Sequence, residues 1–308
     1  MRAEPRLIRT MLFVPGSRPN MMEKAARAAA DAVCFDLEDS VVPEEKGAAR
    51  QHIVHALKTI DFGHRVKMVR VNALDTEFTY RDVVEVVEAV GDRIDVVMLP
   101  KADTASDVQF LDTLITQIET HKRFSSRLGI EVQIESAKGF LNVREIAAGT
   151  PRLEAITYGP GDFAASMQIP MAAIGERDSW DDIYPGHRWH DVMHTIVAAA
   201  RAHGLRCMDG PFAGIADTAG LDRAARVARA MGFDGKQCIH PAQLPVVNAV
   251  FTPTDDEAAK AEALLAAYQV AATAGQGAAK HEGKMIDAVN LRMARRVLER
   301  RRLAQRAQ

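Results

Sequence analysis

The stretch Gly129–Met167, GIEVQIESAKGFLNVREIAAGTPRLEAITYGPGDFAASM, decides the fold. It holds two short apolar runs, Ile130–Ile134 and Leu153–Tyr158, each bounded by Gly or Pro. Glu135 closes the first run, and Asp162 follows the second after Gly159-Pro160-Gly161. Ala137–Ala148 between them reads as helix. Short apolar strands joined by a helix point to a parallel sheet covered on both faces. In such sheets the groups at the C-terminal strand ends converge on one crevice. Two carboxylates at neighbouring strand ends suit a hard divalent cation, with positions left open for water and substrate. The same two acids would also suit the first turns of helices, where the helix dipole stabilises them. The stretch alone leaves both readings open.

Working outward, 308 residues suit one α/β barrel with extra elements. An apolar content of 47% with 26% charged residues is that of a soluble chain able to bury a large core. The formal net charge of −2 argues against nucleic acid as a partner. No apolar run approaches the roughly 18 residues of a membrane span. The opening MRAEPRLIRT lacks the apolar core of a secretory signal, so a cytoplasmic protein is expected. Cys34, Cys207 and Cys238 each sit inside an apolar run without metal-ligand spacing, which reads as small buried hydrophobes in a reducing compartment.

In chain order, strands are expected at Met11–Gly16, Ala32–Asp39, Val66–Asn72 and Asp95–Lys101, then the two of the opening stretch. Leu205–Phe212 and Gly235–Pro241 supply the seventh and eighth. Helices alternate with them: one capped by Ser17 or Asn20 and running to Ala30, then Pro43–Leu57, Tyr80–Val90, Thr104–His121, His187–His203 and Asp217–Met231. Gln168–Gly186 is a longer irregular segment. The alternation predicts a (β/α)8 TIM barrel over residues 1–252, with a doubly wound open sheet as the alternative. Residues 253–308 read as a C-terminal helical extension and lid: a helix over Asp255–Ala274, a glycine hinge (Gly275, Gly277, Gly283), and a basic final helix. Ile286, Val289, Met293 and Val297 form an apolar stripe on that helix, expected to pack on the barrel or on a neighbour.

A barrel gathers Arg18, Glu38, Asp39, Arg70, Glu135, Asp162, Asp209 and His240 at its C-terminal mouth. So many carboxylates repel one another unless a cation is present, and two direct ligands with several waters are typical of Mg²⁺. An arginine beside them would stabilise a developing oxyanion. The set fits metal-assisted chemistry at a carbonyl: enolate formation, aldol or Claisen addition, or the reverse cleavage.

LFVPGSRP (12–19), CFDLEDSV (34–41), VRVN (69–72), QIESAKG (133–139) and YGPGDFAASM (158–167) occur in order. Together they resemble the HpcH/HpaI aldolase and citrate lyase β-subunit superfamily. YPGHRWH (184–190), MDGPF (208–212), GKQCIHPAQ (235–243) and GKMIDA (283–288) are similar to its malyl-CoA and β-methylmalyl-CoA lyase branch, whose substrate is a CoA thioester. Gln237 and Cys238 depart from the larger apolar or aromatic residues expected there.

The resemblance implies a carbon–carbon lyase with Mg²⁺, or Mn²⁺ in its place, held by Glu135 and Asp162. Arg70 matches the arginine at the substrate's carbonyl or alkoxide oxygen. Phe13, Arg18, Lys24, Ile239 and His240 match positions contacting CoA, and Gly161 with Asp162 belongs to the substrate-binding stretch. Asp287 matches a catalytic acid brought to the site of an adjacent subunit, which implies a homo-oligomer, a trimer or hexamer. Glu38 and Asp39 would hold metal-bound waters or orient Arg70. Without that likeness, Arg18 and Lys24 would read as surface cations, Phe13 as core, and Asp287 as a helix cap. The implied reaction is reversible cleavage of a malyl-type 3-hydroxyacyl-CoA to acetyl-CoA or propionyl-CoA and glyoxylate. Citramalyl-CoA cleavage, malyl-CoA thioester hydrolysis and a CoA-independent, Mg²⁺-dependent 4-hydroxy-2-oxo-acid aldolase remain open, as does a catalytically silent binding module.

Overall fold

The computed structural model describes residues 6–184, 186–273 and 278–306. Eight parallel strands close into a barrel in sequence order: β1 (Thr10–Pro15), β2 (Ala32–Asp36), β3 (Val66–Arg70), β4 (Val96–Leu99), β5 (Gly129–Ile134), β6 (Leu153–Tyr158), β7 (Arg206–Asp209) and β8 (Gly235–Cys238). The ring closes where Thr10, Met11 and Leu12 of β1 pair with Lys236, Gln237 and Cys238 of β8. This is the expected TIM-type barrel with flanking helices and further helices at the C-terminus. No helix among the described residues is long and apolar enough to cross a membrane.

Alternation along the strands sets what the barrel contains. Met11, Cys34, Met68, Met98 and Met208 form its packed interior with Ile8, Ala32, Val66 and Val96, and Phe13 lies against them. Two residues further along the same faces stand Asp36 after Cys34 and Arg70 after Met68, so the packed core hands over directly to polar groups at the mouth. On β5 the inward face is polar throughout. Glu131 pairs with Met98 in register, and Gln133 and Glu135 follow at the same parity. The apolar residues of that strand, Ile130, Val132 and Ile134, face the helices. β5 therefore alternates, where a uniformly apolar run was expected.

The helices pack by their apolar stripes. Thr79–Val90 buries Val83, Val86, Val87 and Val90, and Ala105–Lys122 buries Val108, Leu111, Ile115 and Ile118 behind a Thr104–Asp107 capping box. Each fully buried aliphatic side chain contributes about 1.5–3 kcal/mol. All three cysteines are free and buried; burial pushes the Cys238 thiol up to about 12, so it stays protonated.

Several local expectations change. The helix Pro19–Ala25 is capped by neither Ser17 nor Asn20: Arg18 holds the cap position without a side-chain bond, and Pro19 opens the helix instead. The helix expected over Ala137–Ala148 divides into Ala137–Leu141 and Val143–Ala147 at Asn142, whose side-chain amide donates to the Asp103 carbonyl at 2.9 Å. The irregular segment contains one short helix, Ser179–Ile183.

Residues from Ile8 to Asn248 form one compact unit, and those from Ala249 onward belong, with Leu7, to a second. The second unit holds the helices Asp255–Thr273 and Ala288–Arg306, packed on one another, and a hairpin of β9 (Ala279–His281) and β10 (Lys284–Ile286). Gly283 serves the turn of that hairpin: Glu282 and Gly283 have φ of +46° and +78°, the pair of left-handed residues a two-residue hairpin turn requires. The other hinge glycines, Gly275 and Gly277, lie outside the described residues. The final helix turns a different face inward from the one its stripe indicated. Leu291, Ala294 and Ala304 are buried, whereas Val289 and Met293 are exposed, and only Ile286 of the stripe is buried.

Candidate active site

The C-terminal mouth of the barrel encloses a cavity of about 270 Å³ lined by Phe13, Asp36, Asp39, Arg70, Gln133, Glu135, Gly161, Asp162, Gln237 and Ile239, among others. Strand register builds its centre. Asp36 and Arg70 are direct partners across β2 and β3, and the Arg70 guanidinium donates to both Asp36 oxygens at 2.7 and 2.9 Å. Such a two-pronged pair fixes the guanidinium plane. Phe13 lies beneath it, with its ring centre 4.9 Å from the Arg70 carbon. Burial works against ionisation of Asp36, but the Arg70 charge and its hydrogen bonds hold the acid below the ordinary carboxylate range.

Arg70 also meets Glu38 at 2.8 Å, close enough for an ion pair although off the hydrogen-bond direction. On its other side Glu38 accepts a hydrogen bond from the Lys101 ammonium at 2.8 Å. Glu38 is 4% exposed, and burial raises its pKa in spite of both cations.

Glu135 sits at the end of β5, 2% exposed, and accepts from the Lys101 backbone N–H at 2.8 Å and the Gln133 side-chain amide at 3.0 Å. Burial first, then the neighbouring Glu38 and Asp162 charges, push it up to about 8, against the attraction of Arg70. Gly159 makes room for it: a Cβ at that position would lie 2.4 Å from Glu135 Oε2. Asp162 stands opposite, half-exposed, in the first turn of the helix Pro160–Ser166. Of the two readings left open by the sequence, the helix-acid reading fits the placement of Asp162. It does not fit Glu135, which is buried before a helix whose cap is Ser136.

These carboxylates fit a hard divalent cation. A buried acid raised by burial and then by its acidic neighbours is relieved by positive charge, and both carboxylates offer only oxygen. Among the described residues no three His, Cys, Asp or Glu form a ready-made cage. A cation here would rest on two side chains and take its other ligands from water or substrate.

The mouth thus brings together Phe13, Glu38, Asp39, Arg70, Glu135, Gly161, Asp162 and Ile239. Other candidate residues do not line that cavity. Arg18 and Lys24 are exposed on and beside the helix Pro19–Ala25. His240 is exposed and accepts the Ala242 N–H at 3.1 Å, capping a short turn. Asp209 was expected at the mouth, but its parity on β7 sends it to the outer side of the barrel wall. There it is buried with Lys236 beside a second cavity of about 290 Å³. Asp287 belongs to the C-terminal unit and caps the final helix, accepting the Val289 N–H at 2.8 Å. Asp36, Lys101 and Gln133 join the site without having been singled out. Alternation from Cys34 and Glu135 could have found Asp36 and Gln133; nothing in the sequence marks Lys101.

The pattern of the HpcH/HpaI aldolase/citrate lyase family matches residues 9–241. The chain is 44% identical to the L-malyl-CoA/β-methylmalyl-CoA lyase of Cereibacter sphaeroides, over 93% of this chain and 92% of that one. It is 37% identical to a (3S)-malyl-CoA thioesterase of the same species, over 94% and 93%. Among solved structures it superposes on CitE of Mycobacterium tuberculosis in complex with magnesium, acetoacetate and coenzyme A. That match has a TM-score of 0.76 at 32% identity, covering 96% of this chain and 99% of the other. A barrel of this topology, with its acids and arginine at the C-terminal mouth, and likeness over nearly the whole length lead to one assignment: the chain belongs to the HpcH/HpaI aldolase/citrate lyase family and is a carbon–carbon lyase.

Proposed function

We propose that this protein reversibly cleaves a malyl-type 3-hydroxyacyl-CoA into acetyl-CoA, or propionyl-CoA, and glyoxylate, with Mg²⁺ held by Glu135 and Asp162. The observation that carries the reading is the shared cavity: a rigidly held arginine and two carboxylates face one space at the barrel mouth. When bound, the cation supplies positive charge for the oxygens of the glyoxylate half as the bond breaks.

The chain's own groups do the rest. Phe13, Arg18, Lys24, Gly161, Ile239 and His240 receive the CoA thioester. The hydroxyl proton passes to water at the mouth as the bond between the hydroxyl-bearing carbon and the thioester's α-carbon breaks. Its electron pair moves into the thioester as an enolate. Arg70, locked by Asp36, offers its free N–H edges to the enolate oxygen, and donors fixed in advance serve best at such a charge. Asp287, from a neighbouring subunit, protonates the α-carbon and so completes acetyl-CoA; in condensation it takes the same proton. A site completed across subunits makes the protein an obligate homo-oligomer, a trimer or hexamer.

Likeness to the thioesterase supports a second reading, in which the same site delivers malate and free CoA. Acetyl-CoA and glyoxylate supplied with Mg²⁺, with and without EDTA, separate the two when CoA products are followed by mass. EDTA-sensitive malyl-CoA supports the lyase. Malyl-CoA supplied in a parallel reaction and converted to malate with free CoA supports the hydrolase, and no product from malyl-CoA or from any acyl-CoA and 2-oxo acid pair would overturn both.

A further inference from the structure

Lys101 follows β4 in a backbone conformation that side chains other than glycine rarely adopt, with φ of +49°. Strand alternation would send residue 101 to the outer side of the wall; the left-handed turn brings it back over the mouth. Strained backbone of this kind persists only where its surroundings hold it. They do here: the next N–H, of Ala102, donates to the Gln133 carbonyl at 3.2 Å, and the Ser136 hydroxyl donates to Asp103.

From that position Lys101 touches four acids. Its backbone N–H donates to Glu135 Oε1 at 2.8 Å. Its ammonium lies 2.8 Å from Glu38, 3.6 Å from Asp39 and 3.7 Å from Asp162. Glu38 in turn faces Arg70 through its second oxygen at 2.8 Å. Glu38 is thus clamped between two cations, one of which also reaches an acid assigned to the metal. The ammonium's partners are acids of the mouth, so Lys101 acts through them.

We propose that Lys101 is a positioning residue of this site: its ammonium holds Glu38 against Arg70 and neutralises Asp162 until a divalent cation arrives. The proposal rests on the lyase reading for its kinetic consequence, but its electrostatic consequence is independent of any substrate. Removing the ammonium frees one side of Glu38 and loosens the stop that keeps Arg70 in plane. It also removes a positive charge from beside the cation's own carboxylates.

Two variants separate side chain from backbone. Lys101→Met removes the ammonium and keeps much of the chain's bulk. Lys101→Gly keeps the N–H on Glu135 and accepts the positive φ without strain. On the full-length, metal-stripped protein, Mn²⁺ titration followed by electron paramagnetic resonance should show binding about threefold tighter or more in both variants, since a like charge has gone. With Mg²⁺ saturating, kcat for malyl-CoA should fall about tenfold or more while KM stays within about twofold, the pattern of a lost transition-state contact. The double variant Lys101→Met/Glu38→Gln should be no slower than the slower single one, because both changes break one chain of contacts. Weaker Mn²⁺ binding, unchanged kcat, or losses that simply multiply would each overturn the proposal. If the wild-type protein fails to turn over malyl-CoA, the functional reading falls, and the Mn²⁺ titration still decides the role of Lys101.

Discussion

Two glutamates four residues apart, Glu131 on β5 and Glu135 just after it, look alike and stand in different surroundings. Both face the barrel interior, both are at most 2% exposed, and burial pushes them up to about 7 and about 8. Glu131 lies in the floor, where the Thr157 hydroxyl donates to it and Arg206 stands 4.0 Å away, itself paired with Glu154 at 3.2 Å. Glu135 lies at the mouth, beside an open cavity, with Glu38 and Asp162 as acidic neighbours. A raised carboxylate is therefore not by itself a functional mark. Access and like-charged company distinguish a group open to a cation from one enclosed as part of a polar plug.

The comparison can be broken by substitution. Glu135→Gln keeps the shape of the side chain but removes a charged oxygen ligand. Mn²⁺ affinity, read by calorimetric titration, should be lost, and malyl-CoA cleavage should fall about a thousandfold or more, as metal-assisted steps do without their metal. Arg70→Lys should come next. A lysine cannot grip both oxygens of Asp36, so kcat should drop about a hundredfold with metal affinity unaltered, the scale of a lost oxyanion donor. Gly159→Ala tests the mouth from outside the polar set. Its Cβ would press on Glu135 Oε2, and a misplaced ligand should weaken Mn²⁺ binding by about tenfold. The same change would leave Mn²⁺ binding unaltered if Glu135 did not bind the ion.

The smallest expected effect lies in the floor. The ordinary value for Glu131 is 4.5 and burial takes it to about 7, so the folded state favours the protonated form. Its contribution to stability is complete below about pH 4.5 and is lost as pH rises through 7. Glu131→Gln, always neutral and still able to accept the Thr157 hydroxyl, should match wild type at about pH 4 and melt roughly 2–4 °C higher at pH 8. Equal melting curves at pH 8 would show that Glu131 carries no such cost.

How much of this the sequence shows depends on the kind of contact involved. The eight strands are legible because each is a short run rich in apolar residues that ends in a turn or a polar cluster, and Arg70, Glu135 and Asp162 are legible because they stand at or just beyond the ends of such runs. Asp36 is harder: its role comes from being the register partner of Arg70, and register belongs to the closed sheet, not to β2 alone. Lys101 is harder still, since only a left-handed turn brings it over the mouth. The final helix misleads for a different reason. It carries apolar residues on two faces, and the packing of the C-terminal unit buries Leu291 and Ala294, leaving Val289 and Met293 exposed.

The most direct test sets the two glutamates side by side. Malyl-CoA cleavage by wild type, Glu131→Gln and Glu135→Gln would be followed after metal removal and again after Mg²⁺ is returned. Wild type and Glu131→Gln should both fall silent without metal and recover fully with it, while Glu135→Gln stays silent throughout. Turnover that survives metal removal, or a Glu135→Gln protein that recovers with Mg²⁺, would contradict the assignment of the mouth as a metal-dependent lyase site.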